Sequence, residues 1–205
     1  MTSHAFVDTV DLTFKDIVMN TQTVFSAVGR VAMATAAALL LGTSFGAVAA
    51  TGSLVKPDEL IVDKSLPAKQ VQAQTHAARL YDTFWTTGDE AQARDALAAD
   101  FTDHTLPPGR PQGVAGPLAA SKVFHGAVPD VHADVVQMIV TGDRVVSHMR
   151  FTGHFTGTFN GVQGKGQPVD FIATDIYRIR DGKIADNWHL EDNLTFLQQL
   201  GVVSK

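Results

Sequence analysis

Cysteine is absent from the 205-residue chain. That excludes a disulfide framework, a thiolate zinc site, a cysteine nucleophile and a lipid-modified lipoprotein cysteine. It leaves the compartment open, because an exported protein need not have disulfides. Basic residues are also scarce: 16 Lys and Arg stand against 21 Asp and Glu, a net charge of −5 with no basic block. Nucleic acid is therefore not an expected partner. No phosphate loop or dinucleotide fingerprint occurs, and the histidines are too scattered for a helical i, i+4 zinc pair. What remains is ordinary globular material, 45% hydrophobic and 18% charged, enough for one domain with sequence to spare.

Three regions follow one another. Within residues 1–50, Arg30 precedes the apolar run from Val31 to Gly42, and Ala47-Val48-Ala49 follows it. A positive residue, an apolar stretch and a small-x-small site are the parts of a secretory signal. The run is shorter than the roughly 20 residues of a membrane span. We therefore expect export, periplasmic or secreted, with no permanent span after processing. An uncleaved membrane anchor and a buried core helix are the alternatives, and Met19 is a possible alternative start. Residues 51–70 mix Gly, Ser, Pro and charge without a period and read as a linker. Residues 71–205 read as the domain.

Within that domain, Ala77, Leu80, Tyr81 and Phe84 fall at i, i+3, i+4 and i+7, the apolar face of a helix. Gly88-Asp89 ends it, and Asp89 caps a second short helix reaching Ala99. Asp100 to Thr105 is extended, Leu106 to Gly113 is a loop, and Pro117 suits the first turn of a third helix ending near Ala127. Beyond Pro129-Asp130 the period changes to two. Val131–Val140, Arg144–Thr156, Val169–Ile179 and Lys183–Leu190 read as strands, with tight turns at Thr141-Gly142-Asp143 and Arg180-Asp181-Gly182. Asn193 to Leu200 closes as a short helix with Leu194, Leu197 and Leu200 inward and Gly201 as its stop. Gly161 to Gly166 reads as a flexible loop. Helices first and a strand meander second means an α+β domain, with about three N-terminal helices packed on a curved antiparallel sheet.

Several pieces of the chain resemble the SnoaL-like polyketide cyclase family. They are Phe124-His125-Gly126-Ala127-Val128-Pro129-Asp130-Val131-His132, Gly142-Asp143-Arg144-Val145-Val146, Thr152-Gly153-His154-Phe155-Thr156-Gly157 and the stretch from Tyr177 to Trp188. Together they span about Ala77 to Val202. The resemblance implies the nuclear-transport-factor-2-like cone enclosing one apolar pocket. It also implies a homo-oligomer, often a dimer, and chemistry that needs no metal or cofactor.

The last hairpin decides which polar residues meet. A three-residue loop with Gly182 at the left-handed bulge position pairs Ile179 with Lys183, Asp175 with Asn187 and Ala173 with His189. Asp175, Tyr177, Asn187 and His189 then share one face, opposite Trp188 and Asp186. A two-residue loop at Asp181-Gly182 would instead pair Ile176 with Asn187 and scatter the set. The resemblance favours the bulge. It also places His189 where the family has its acid/base carboxylate and Asp175 where it has the assisting histidine, so the pair is present with its residue types exchanged.

Asp175 and His189 are accordingly the candidate catalytic residues. Tyr177, Asn187 and either Asp103 or His104 are candidates to bind the substrate. A metal held by His104, Asp175 and His189 is a further conceivable arrangement. His148, Arg150 and His154 alternate on one side of a strand that we read as solvated or subunit-facing; His125 and His132 read as surface residues. The leading functional expectation is a cofactor-free lyase or isomerase acting on a small apolar carbonyl compound. A non-catalytic exported module that binds a small ligand is the alternative, as is a hydrolase or dehydratase on the same fold.

Overall fold

The computed structural model describes residues 53–204; the expected signal segment lies outside the described residues. Helix α1, Ala68–Thr87, buries Ala77, Tyr81 and Phe84 of the expected stripe together with Ala78, leaves Leu80 half-buried, and ends at Gly88 in the left-handed conformation. Asp89 caps α2, Glu90–Ala96, by accepting a hydrogen bond from the Ala91 amide. The second helix is shorter than expected because strand β2 already begins at Leu97 and runs to Asp103. Pro117 lies in the first turn of α3, Ala115–Ala127. The long strands are β3, His132–Thr141, and β4, Arg144–Phe155. They are followed by β7, Gln167–Arg180, and β8, Lys183–Glu191. Helix α4, Asn193–Leu200, closes the chain, capped by Asp192 and stopped at Gly201.

Two expectations are corrected at the domain's beginning. Residues 51–70 are not a free linker from Ser53 onward. Glu59–Val62 form strand β1, which pairs with β3, and the Arg79 guanidinium donates to the carbonyls of Leu54 and Val55. The sheet is mixed rather than purely antiparallel. Its order is β1-β3-β4-β7-β8-β2, with β1 parallel to β3 and β2 parallel to β8. Both edge strands come from the helical half of the chain, and each is separated from its partner by at least one helix, the crossover that a parallel pair needs.

The Gly161–Gly166 stretch also differs from expectation. It takes part in a small hairpin of β5, Thr158–Phe159, and β6, Val162–Gln163. Gly157 anchors this hairpin on α3, its amide donating to the Ala127 carbonyl; a Cβ there would lie 1.8 Å from the Gly126 oxygen. On α4, Leu194 points to solvent instead of inward, while Phe196 and Leu200 are buried. The Phe196 ring joins Phe124 and Phe171, with centroids 5.5 and 4.9 Å away, and Phe151 stacks on Phe171 at 5.2 Å. Such packing adds about 0.5–1.5 kcal/mol per aromatic pair beyond area burial, which sets the helix's rotation. Among the described residues no helix is long and apolar enough to cross a membrane.

Candidate functional site

The β7–β8 hairpin turns through two residues, Asp181 and Gly182, both with positive φ, and Arg180 pairs with Lys183. This is the turn expected to scatter the polar set. It does not, because Ala185 is an extra residue: Ile179 pairs with Ile184, but Arg178 pairs with Asp186. A one-residue bulge flips every later side chain to the other face. The register thereafter places Asp175 opposite His189 and Tyr177 opposite Asn187, not the pairs read from the sequence. The four side chains still share the inner face, for a different reason.

Strand β2 adds one more group. Its parallel pairing sets Asp103 beside Asn187, and Gln112 clamps the Asp103 backbone on both sides, accepting from its amide at 2.8 Å and donating to its carbonyl at 2.9 Å. Asp103 faces inward. His104, the next residue, faces outward: its ring stacks on Trp188 at 4.3 Å and its Nε2 lies 2.7 Å from Asp186. The choice between the two residues therefore falls on Asp103. His104 is removed from both the substrate-binding set and any metal set with Asp175 and His189. His148, Arg150 and His154 lie along β4 with partners Thr174, Asp170 and Asp130. His125, expected on the surface, is half-buried in a cavity of about 410 Å³ with Phe84, Gly88, Ser121 and Lys122; that cavity contains none of the inner polar set.

The His189 ring is held from both ends. Nδ1 lies 2.6 Å from Glu191, and Nε2 lies 3.1 Å from each oxygen of Asp103. Burial alone would push the imidazole down, but the charges of Glu191, Asp175 and Asp103 outweigh it and raise its pKa to about 9. His189 is thus an imidazolium at neutral pH. Burial pushes the Asp175 carboxyl up to about 6, with His189 and the Tyr177 hydroxyl pulling back against it. Of this pair, Asp175 is the member able to take up or release a proton near neutrality. Asn187 is buried, and its side-chain Oδ1 has no hydrogen-bond partner.

Two groups escaped the sequence reading. Asp82, fully buried on α1, lies 2.7 Å from the Tyr177 hydroxyl oxygen and accepts from Ser147 at 2.7 Å. Its visible trace is its place one turn after Ala78 on the buried face of α1. Glu191 left none, because the face it takes depends on the bulge at Ala185 earlier on its own strand. Tyr177 is also reassigned in detail. Its hydroxyl is enclosed between Asp82 and Asp175, 2.8 Å away, rather than offered to a ligand.

A curved mixed sheet with helices on one face and a buried carboxylate–imidazolium pair defines a nuclear-transport-factor-2-like protein with the groups for proton transfer. A profile of the SnoaL-like polyketide cyclase family matches residues 75–200. The chain belongs to that family, whose membership supports a cyclase- or isomerase-like role on a small molecule. Among solved structures it is similar to a candidate polyketide cyclase from Bacillus cereus ATCC 10987, with 40% identity, TM-score 0.67, and coverage of 74% of this chain and 96% of that one. It is also similar to IdmH, a candidate polyketide cyclase from Streptomyces antibioticus, at 29% identity and TM-score 0.57, covering 62% and 98%. TsrD from Streptomyces laurentii gives 25% identity and TM-score 0.58, covering 67% and 99%. Comparison with curated proteins gives no match.

Proposed function

We propose that this protein is a cofactor-free lyase or isomerase that moves a proton next to the carbonyl of a small apolar substrate. The observation that carries this reading is the buried cross-strand pair of Asp175 and His189, one group titrating near neutrality and the other a fixed cation. Asp175 is the base: the substrate C–H bond breaks, an O–H bond forms on Asp175, and the electron pair passes to the carbonyl oxygen as an enolate. The imidazolium of His189 stabilises that negative charge electrostatically. Both of its N–H groups are engaged by carboxylates, so it acts as charge rather than as a free donor. The unpartnered Oδ1 of Asn187 is an acceptor available to a hydroxyl group of the ligand.

Export and self-association belong to the same proposal. The signal pattern supports the first. The second is supported by Ile172, Ile176 and Leu190, apolar and exposed on the outer face of β7 and β8, where a second copy would cover them. The test of function is a screen of the purified protein for proton exchange into small carbonyl compounds, repeated with Asp175→Asn. Loss of exchange with the fold intact supports the reading. A wild type that retains a ligand through purification but exchanges no proton, with the variant only weakening that retention, makes the ligand-binding module the better description.

A further inference from the structure

Tyr177, Asp82, Asp175 and Ser147 form three hydrogen-bonded contacts: Tyr177 hydroxyl to Asp82 at 2.7 Å, Tyr177 hydroxyl to Asp175 at 2.8 Å, and Ser147 hydroxyl to Asp82 at 2.7 Å. The two hydroxyls carry one proton each. Two protons cannot make three such contacts. Between the phenol oxygen and one of the carboxylates, lone pairs would face each other inside the protein, where an unpaired contact of this kind is most costly. A third proton, on a carboxyl, satisfies all three. We propose that Asp82, Tyr177 and Asp175 share one extra proton near neutral pH, resting on Asp82, and that Asp82 is thereby a positioning residue that sets the charge of Asp175.

The neighbours decide where the proton rests. Asp82 faces Ser147 from β4, and Tyr177 and Asp175 from β7, and its charge acts on Tyr81 beside it on α1; no cation is among the groups that shift its titration. Asp175 faces His189, Asn187 and Glu191 from β8, and Asp103 from β2 holds the other end of His189. Arg110, from the loop before α3, acts on Glu191 and Tyr81. The imidazolium therefore favours the ionised form at Asp175, and burial without a cation favours the neutral form at Asp82. Burial pushes the Asp82 carboxyl up to about 7, against the hydrogen bonds from Ser147 and Tyr177. In this arrangement Asp82 donates to the Tyr177 oxygen, Tyr177 donates to Asp175, and Asp175 stands ionised beside His189. Reversing the two hydrogen bonds moves this same proton from Asp82 to Asp175 and leaves Asp82 ionised; while Asp82 is protonated, a proton taken from a substrate stays on Asp175.

The catalytic meaning of this chain rests on the proposed function, but its protonation does not. The experiment is infrared spectroscopy of the full-length protein labelled with carbon-13 aspartate, reading the protonated-carboxyl stretch from acid through alkaline pH. A buried aspartic-acid band that persists at neutral pH, is lost in Asp82→Asn and survives in Asp175→Asn is the expected result. Absence of the band from the wild type at neutral pH overturns the proposal, and needs no variant to fold. A band lost in Asp175→Asn but kept in Asp82→Asn overturns the assignment to Asp82. Where turnover is found, Asp82→Asn should remove one of two apparent titrations from its pH profile; an unchanged profile would overturn the positioning role. A band in place without turnover removes the functional reading and leaves the shared proton standing.

Discussion

Nε2 of His189 lies equidistant, at 3.1 Å, from both carboxylate oxygens of Asp103. The two residues are 86 positions apart in the chain, and both side chains are less than a tenth exposed. This contact, with the charges of Glu191 and Asp175, keeps the imidazole a cation at neutral pH rather than a proton acceptor.

Asp103→Asn should therefore lower the titration of His189, read by NMR of its ring protons. The sign of the stability effect follows. The folded-state pKa of His189 is raised to about 9 from an ordinary 6.5, so its stabilisation is full below about pH 6.5 and is lost as pH rises toward 9. The variant should show a shallower loss over that window in denaturant titrations. At neutral pH it should be less stable by about 1–3 kcal/mol, as expected for weakening a buried charged hydrogen bond. An unchanged slope would mean that Glu191 and Asp175 hold the charge without Asp103.

Asp175→Asn and His104→Ala form a contrast. The first removes the base and should lower any proton-transfer turnover by roughly 10²–10⁴-fold. The second removes a stack on the outer face, opposite the inner set, and should leave turnover within about twofold while costing some stability, since an aromatic pair adds roughly 0.5–1.5 kcal/mol. Turnover measured alongside thermal unfolding checks both; a large loss of turnover in His104→Ala would contradict its placement.

A chain beginning at Val71 removes β1 and the Leu54 and Val55 carbonyls that accept from Arg79. It also bares the edge of β3. Compared with a chain beginning at Leu54, it should melt at lower temperature and aggregate more readily. Equal melting temperatures would show that β1 contributes nothing to the domain.

Cleavage at the Ala47-Val48-Ala49 site should leave an exported protein whose mass begins near Ala50 or Thr51. Intact-mass measurement of the exported fraction checks this. An intact N-terminus on cytoplasmic protein would rule it out.

Leu190 is 76% exposed on the outer face. If a second copy covers it, Leu190→Glu should shift the protein from dimer to monomer in sedimentation, with the β7–β8 hairpin unchanged.

Much of this protein was legible from local pattern. The helical stripe of Ala77, Tyr81 and Phe84, the Asp89 cap, the Gly201 stop and the period-two strands are dictated by interactions within a few residues, where side-chain spacing and backbone preference act directly. The inner face shared by Asp175, Tyr177, Asn187 and His189 was read correctly. Its register was not, since a two-residue turn plus a bulge at Ala185 gives the same parity as the single bulged loop that the sequence suggested. Only tertiary structure decided the rest. Whether Asp103 or His104 turned inward depended on the parallel pairing of β2 with β8, a contact between strands about 80 residues apart. The burial of Asp82 against Ser147 and Tyr177 depended on how α1 lies across the sheet. The charge of His189 followed from three carboxylates contributed by β2, β7 and β8. Electrostatic environment is a property of which distant groups share a dry interior, and no local period encodes it.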